Sequence, residues 1–118
     1  MKVEKPNNDK IEERANMIKE YMKVNRRFCT KEELGNHIEC GERIVRDCIN
    51  FLRNQGVMIV SVSSQKGYKL IRKSDASQDD LELVKQMWCE TDNRIKELVA
   101  IRKTCINCWE YFHTASKK

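Results

Sequence analysis

The chain has little glycine and proline and no long apolar run. Its 118 residues include four glycines and one proline, so few of the residues that interrupt helices are present. No apolar segment approaches the roughly 20 residues that a bilayer-spanning helix needs, and the first residues, MKVEKPNN, lack the apolar core of a signal peptide. We therefore expect a helix-rich, cytoplasmic protein of one domain with no membrane partner.

Motifs of catalysis are missing as well. The sequence has no glycine-rich loop that would cradle a phosphate, no nucleophile elbow, and no histidine placed beside a suitable acid or thiol. Its only histidines are His37 and His113. We therefore expect no enzyme activity, no cofactor and no small-molecule substrate.

Cysteine, by contrast, occurs six times. Because no export signal is visible, we interpret most of these cysteines as reduced thiols that pack as small apolar side chains. Cys105 and Cys108 form a C-x-x-C pair that can ligate zinc, especially across two chains, but no second such pair exists. Apolar packing is the favoured interpretation of this pair, and a metal site is the alternative.

Positive charge is concentrated in the first two-thirds of the chain. Residues 1–73 carry an excess of six positive charges and residues 74–118 an excess of one negative charge, which gives the net charge of +5. A basic module followed by a near-neutral tail is typical of a nucleic-acid-binding face joined to an oligomerisation element. Ordinary solvated helix charges are the alternative explanation of so mild an excess.

Local patterns predict a long first helix and a short second one. Asp9 and Glu12 have capping-box spacing, and an apolar stripe continues from there to about Val24. Residues 26–29 form an extended connector that can pair with a later strand. Thr30 opens the second helix with the same capping-box spacing. In this helix Leu34 and Ile38 face the core, and the small residue Gly35 lies between them.

A turn, a third helix and a hairpin follow one another directly along the chain. Residues 39–41 make the turn, and the helix over 42–54 places its apolar side chains at helical spacing. Gly56 suits a left-handed cap at the end of this helix. Two strand-like segments, 57–62 and 68–71, then flank a turn and predict a β-hairpin.

This order of elements resembles the winged helix-turn-helix family, in particular biotin-repressor-like winged helices and small bacterial or phage-encoded winged-helix proteins. The resemblance covers residues 9–73, with GERIVRDCINFLRNQG similar to the recognition helix and SVSSQKGYKL similar to the wing. It implies a mainly α fold with a small β-hairpin, preceded by a disordered segment, 1–8. Two positions depart from the family pattern. Glu39 replaces a common glycine, at a cost of about 1 kcal/mol if it is left-handed, and Gly41 replaces the usual serine or threonine cap.

The resemblance implies double-stranded DNA as the partner, and several side chains suit that partner. Arg43 and Arg46 are three residues apart on one helix face, so both can donate to guanine in one groove, and Asn50 can pair with adenine. Lys31, with Arg26 and Arg27 before it, is expected to hold phosphate. The wing residues expected on the backbone or minor groove are Gln65, Lys66 and Lys69.

Two acidic residues keep an alternative open. Glu42 and Asp47 lie on or beside the face of Arg43 and Arg46, and carboxylates repel phosphates. In the alternative, the arginines pair with these acids on a solvated face. The chain would then be a winged-helix adaptor or inhibitor that binds another protein.

A long helix is predicted after the wing, over residues 77–113, with residues 114–118 expected to be flexible. Ser77 caps it. Ten of its positions, three and four residues apart, form what we call the seam: Leu81, Val84, Trp88, Thr91, Ile95, Leu98, Arg102, Cys105, Trp109 and Phe112. So long a helix needs a partner, and we expect a homodimer through the eight apolar seam residues. The alternative is a helix that breaks near residues 91–93 and folds back. The sequence thus predicts a dimeric, cytoplasmic transcriptional regulator that binds DNA.

Overall fold

The computed structural model describes residues 6–116, with side chains described for residues 10–114. It is mainly helical, with a small antiparallel sheet and a long C-terminal helix, and this much of the predicted fold is confirmed. The elements in chain order are α1 (Pro6–Val24), α2 (Lys31–Ile38), α3 (Glu42–Asn54), β1 (Ile59–Val60), β2 (Lys69–Leu70) and α4 (Gln78–Ser116).

The ends of the chain differ from the prediction. Helix α1 begins at Pro6, before the expected cap at Asp9, because proline has the backbone angle of a first helical residue and lacks the N–H that would be left unpaired there. Part of the segment 1–8 that we expected to be disordered is therefore helical, and the rest lies outside the described residues. Helix α4 likewise continues to Ser116, so most of the expected flexible segment 114–118 is helical.

The chain divides into two compact units, residues 1–84 and 85–118. In the first unit, α1 packs on α3 and α2, α2 packs on α3, and the strands contact α1 and α3. The apolar stripes predicted for these helices form its core. Burying each large aliphatic side chain contributes about 1.5–3 kcal/mol. The fully buried members are Ala15, Ile18, Met22, Cys29, Leu34, Val45, Cys48, Ile49, Leu52, Ile59 and Val60.

A tight turn joins α2 to α3. Thr30 caps α2 by accepting a hydrogen bond from the Glu33 N–H at 3.1 Å. At the other end, the Cys40 N–H donates to the Gly35 carbonyl at 2.9 Å, and a Cβ on Gly35 would lie 2.7 Å from the Cys40 carbonyl oxygen. Position 35 must therefore be glycine, because the backbone of the turn lies too close to it for a side chain. Glu39 in this turn has φ 55 and ψ 45, the left-handed conformation.

Glu39→Gly is expected to stabilise the protein by about 1 kcal/mol, because glycine adopts the left-handed conformation without the clash of a Cβ. Urea unfolding followed by circular dichroism measures this. Asn36→Gly, inside α2, is the matched control and is expected to destabilise by about 0.5–1 kcal/mol. Equal destabilisation by both substitutions would show that the conformation of Glu39 carries no strain.

The hairpin is anchored on both sides. In the sheet, Ile59 pairs with Leu70 and Val60 with Lys69. Cys29 forms an isolated antiparallel bridge with Tyr68, which confirms that the connector after α1 pairs with a later strand. Arg53 also links α3 to the hairpin, since its Nη2 donates to the Ile59 carbonyl at 2.8 Å and to Ser61 Oγ at 3.0 Å.

Helix α4 begins in the first unit with a reciprocal cap. The Asp80 N–H donates to Ser77 Oγ at 3.1 Å, and the Ser77 N–H donates to the Asp80 carboxylate at 3.1 Å. Within the second unit α4 continues without the break considered near residues 91–93. Every residue with a described side chain from Thr91 onward is exposed. None of the helices described here is both long and apolar enough to cross a membrane.

Candidate nucleic-acid interface

Helix α3 presents a polar face opposite its core face. Val45, Cys48, Ile49 and Leu52 are buried, and this packing directs the remaining positions outward. Those remaining positions include Arg43, Arg46 and Asn50, all exposed. Residues separated by three and four positions share one side of a helix, so the three predicted base-contacting side chains lie along one line.

Neither Arg43 nor Arg46 forms an ion pair with a described carboxylate. Glu42, which we considered as a partner for them, binds Lys31 instead, at 3.3 Å between Nζ and Oε1. This contact joins the first turn of α3 to the first turn of α2. Arg43 and Arg46 therefore keep their charge available at the surface, whereas the charge of Lys31 is partly compensated.

A cleft lies between the hairpin loop, residues 61–68, and the start of α2. Its volume is about 420 Å³, and Lys31, Gln65 and Lys66 line it. Gln65 and Lys66 are exposed, and the Gln65 N–H donates to the Val62 carbonyl at 3.2 Å, which shapes the loop as a turn. The structure thus brings these three predicted phosphate contacts together, and Glu42 connects them to the exposed face of α3.

Lys69, the remaining predicted contact, is engaged elsewhere. Its Nζ lies 2.8 Å from the Asp80 carboxylate, and the side chains are only 23% and 13% exposed. The hydrogen bond from Lys69, followed by the backbone N–H of Ser77, lowers the pKa of Asp80 below its usual value. Lys69 therefore joins the start of α4 to the hairpin, so its charge is less available for the DNA contact that the sequence predicts.

Two further arginines are also compensated. Arg26, expected near phosphate, lies 2.8 Å from Asp75. Arg27 Nη1 donates to Glu33 Oε1 at 3.0 Å, and the Tyr21 hydroxyl donates to the same carboxylate. The hydrogen bonds from Arg27 and then Tyr21 lower the pKa of Glu33 to about 2. The contacts of Glu33 with Arg27 and Tyr21 join α1 to α2. Arg26 and Arg27 contribute little free positive charge.

Sequence reasoning missed a second basic cluster at the base of the hairpin. Lys19, Lys23, Arg72 and Lys73 line a cavity of about 370 Å³ beside Ser74. Lys23 also contacts Glu20 at 3.3 Å. The signal available in the sequence was the adjacent pair Arg72–Lys73, which directly follows the second strand. This cationic cluster is a second candidate surface for binding anions within the first unit.

The seam of α4 is largely uncovered. Of its eight apolar members, Val84 is half-buried and the other seven are exposed. Trp88 is 64% exposed and Phe112 is 63% exposed, and exposed aromatic side chains in such number are typical of an interaction surface. No three His, Cys, Asp or Glu side chains cluster as metal ligands in the part of the chain that the structure describes.

The cysteines differ in burial, and Cys40 is half-buried. Cys29 and Cys48 are buried in the first unit, where burial raises the pKa of both thiols and they pack as small apolar groups, as predicted. Cys89, Cys105 and Cys108 are exposed along α4.

Comparison with protein-family models, with curated proteins and with solved structures found no match to this chain.

Proposed function

We propose that this chain is a winged helix-turn-helix protein that binds double-stranded DNA and acts as a dimeric, cytoplasmic transcriptional regulator, without catalytic activity. The observation that carries the proposal is the exposed face of α3, where two arginines have no carboxylate partner. This face adjoins a cleft under the hairpin loop that Lys31, Glu32 and Lys66 line. In this assignment α3 is the recognition helix and the loop over residues 61–68 is the wing.

The roles of the residues follow from their chemistry. The guanidinium groups of Arg43 and Arg46 donate paired hydrogen bonds to O6 and N7 of guanine, and the Asn50 amide pairs with the edge of adenine. Lys66 and Gln65 contact phosphate or the minor groove from the wing. These backbone contacts hold the protein in register but carry no sequence information themselves.

Titration of a fluorescent duplex at several salt concentrations tests the proposal. If three to six phosphates are neutralised, the affinity should fall by about 30- to 1,000-fold between about 50 and 200 mM salt, because binding releases counterions. A single strand of the same length is the control for non-specific charge attraction. No duplex binding at the lowest salt would refute the DNA function.

A protein partner is the second candidate, and one observation favours it. Four basic side chains beside the proposed interface are paired with acids, namely those of Arg26, Arg27, Lys31 and Lys69. Such a face is less positive than its sequence suggests and suits a partner with mixed charge. In that case the protein would fail to bind duplex DNA and would co-purify with another chain, whose contacts would require the same exposed face of α3.

A further inference from the structure

The two polar residues of the α4 seam restrict how two copies can pair. In a parallel, in-register pair, each seam residue meets its own counterpart. Arg102 would then face Arg102 of the second copy, and like charges held together in an apolar seam are costly. Trp88 and Trp109 would also face their counterparts and crowd two layers with large rings, whereas well-packed layers alternate large and small side chains.

An antiparallel pair removes both conflicts. With the two-fold axis between residues 96 and 97, every seam position falls opposite another seam position. Arg102 then faces Thr91 of the second copy, so both polar residues occupy the same layer. The Thr91 hydroxyl donates to the Met87 carbonyl at 2.8 Å, which leaves its lone pairs free to accept from a guanidinium.

The large side chains also find small ones in this arrangement. Trp88 faces Cys105 of the second copy, and Trp109 faces Val84. At the centre, Ile95 faces Leu98. Both tryptophans therefore meet smaller side chains, and the central layer joins two aliphatic side chains of equal size, so no layer holds two tryptophans.

A cavity at the start of α4 offers a place for aromatic side chains of the second copy. It has a volume of about 650 Å³ and lies in the first unit, between the hairpin base and α4. Its apolar lining residues are Val57, Met58, Ile71, Ala76, Leu81 and Val84. Leu81 and Val84 belong to the seam, and in the antiparallel pair they face Phe112 and Trp109 of the second copy.

We propose that two copies of this chain pair through antiparallel α4 helices, and that the aromatic residues near the C-terminus of each α4 close the apolar cavity of the other copy. This inference rests on the dimer in the proposed function and adds its orientation. Because the contact is two-fold, the assembly contains an even number of chains.

Cross-linking of mixed chains tests the orientation. In one chain, Cys89 and Cys108 are replaced by serine, so that Cys105 is the exposed thiol of α4. The other chain carries these replacements together with Cys105→Ser and Trp88→Cys. Under mild oxidation with copper–phenanthroline, we expect a disulfide-linked dimer only when the two chains are mixed. A linked dimer formed by either chain alone would show parallel pairing and overturn the proposal.

A second pair of variants tests the orientation without Trp88→Cys, which could itself weaken the assembly. Leu81→Cys and Phe112→Cys, each in the chain without other cysteines on α4, are expected to cross-link only in mixture. Light scattering of each sample before oxidation gives its mass. A monomeric or trimeric mass of the unmodified protein would overturn the pairing, whether or not the protein binds duplex DNA.

Alanine at Trp109 tests the cavity contact. Removing a large buried aromatic side chain is expected to weaken self-association by about 100-fold or more. Tyr111→Ala is the matched control, because Tyr111 is 68% exposed and lies off the seam. The dissociation constant of the dimer of this variant should equal that of the unmodified protein. Equal effects of both substitutions in sedimentation equilibrium would contradict the assigned contact.

Discussion

Replacing Arg43 and Arg46 together by alanine is expected to lower the affinity for duplex DNA by about 100-fold or more. Each bidentate contact with guanine contributes about 1–3 kcal/mol, and each lost cation also reduces the release of counterions. Both side chains are exposed and lie outside the core, so the free energy of unfolding should change by less than about 0.5 kcal/mol. Fluorescence anisotropy at fixed salt, with unfolding in urea, measures the two quantities.

Lys69→Gln provides the contrasting result. Its ammonium is held by Asp80, so the substitution should lower stability and leave the affinity for DNA within about two-fold, a change of less than about 0.5 kcal/mol. An affinity loss for Lys69→Gln that equals the loss for the two arginines would place the hairpin strand, and not α3, at the centre of the interface.

Gly67→Ala is expected to destabilise the protein by about 3 kcal/mol. Gly67 has φ +95, and an added Cβ would lie 2.4 Å from the carbonyl oxygen of Cys29. That carbonyl accepts the hydrogen bond from the Tyr68 N–H at 2.9 Å. The substitution therefore combines about 1–2 kcal/mol for the left-handed side chain with a backbone clash of similar cost, and the bridge between Cys29 and the hairpin must move.

Gly56→Ala separates the two causes. Gly56 also has a positive φ, +88, but an added Cβ would meet nothing within 4 Å. Its substitution should cost about 1 kcal/mol, the conformational part alone. Thermal unfolding of both variants supplies the comparison. If they lose equal stability, the contact between Cys29 and the hairpin does not constrain Gly67.

Features of the fold that depend on neighbouring residues were predictable. The cap at Thr30, the left-handed Gly56 and the apolar stripes are set by residues within one helical turn, so the sequence displays them directly. The left-handed conformation of Glu39 has no such local signal, and only the family resemblance raised it. The pairing of the connector with the hairpin also followed, because an extended segment beside a hairpin can satisfy its backbone groups by joining the sheet.

The site was harder to predict, because charge partners come from distant parts of the chain. Asp75 contacts Arg26 although the two residues are 49 positions apart in the sequence, and Asp80 contacts Lys69 from another element. Neither pairing has a local pattern. Counting basic residues along the chain therefore overestimated the positive charge available for DNA. The cavity beside Leu81 was likewise invisible, since its walls come from three separate elements.

Mapping backbone amide shifts by NMR during titration with duplex DNA tests the central claim most directly. The account predicts that the largest shifts fall on α3 around Arg43 and Asn50 and on the hairpin loop around Lys66, in saturable binding. Shifts confined to the second basic cluster around Arg72, with α3 unaffected, would contradict it.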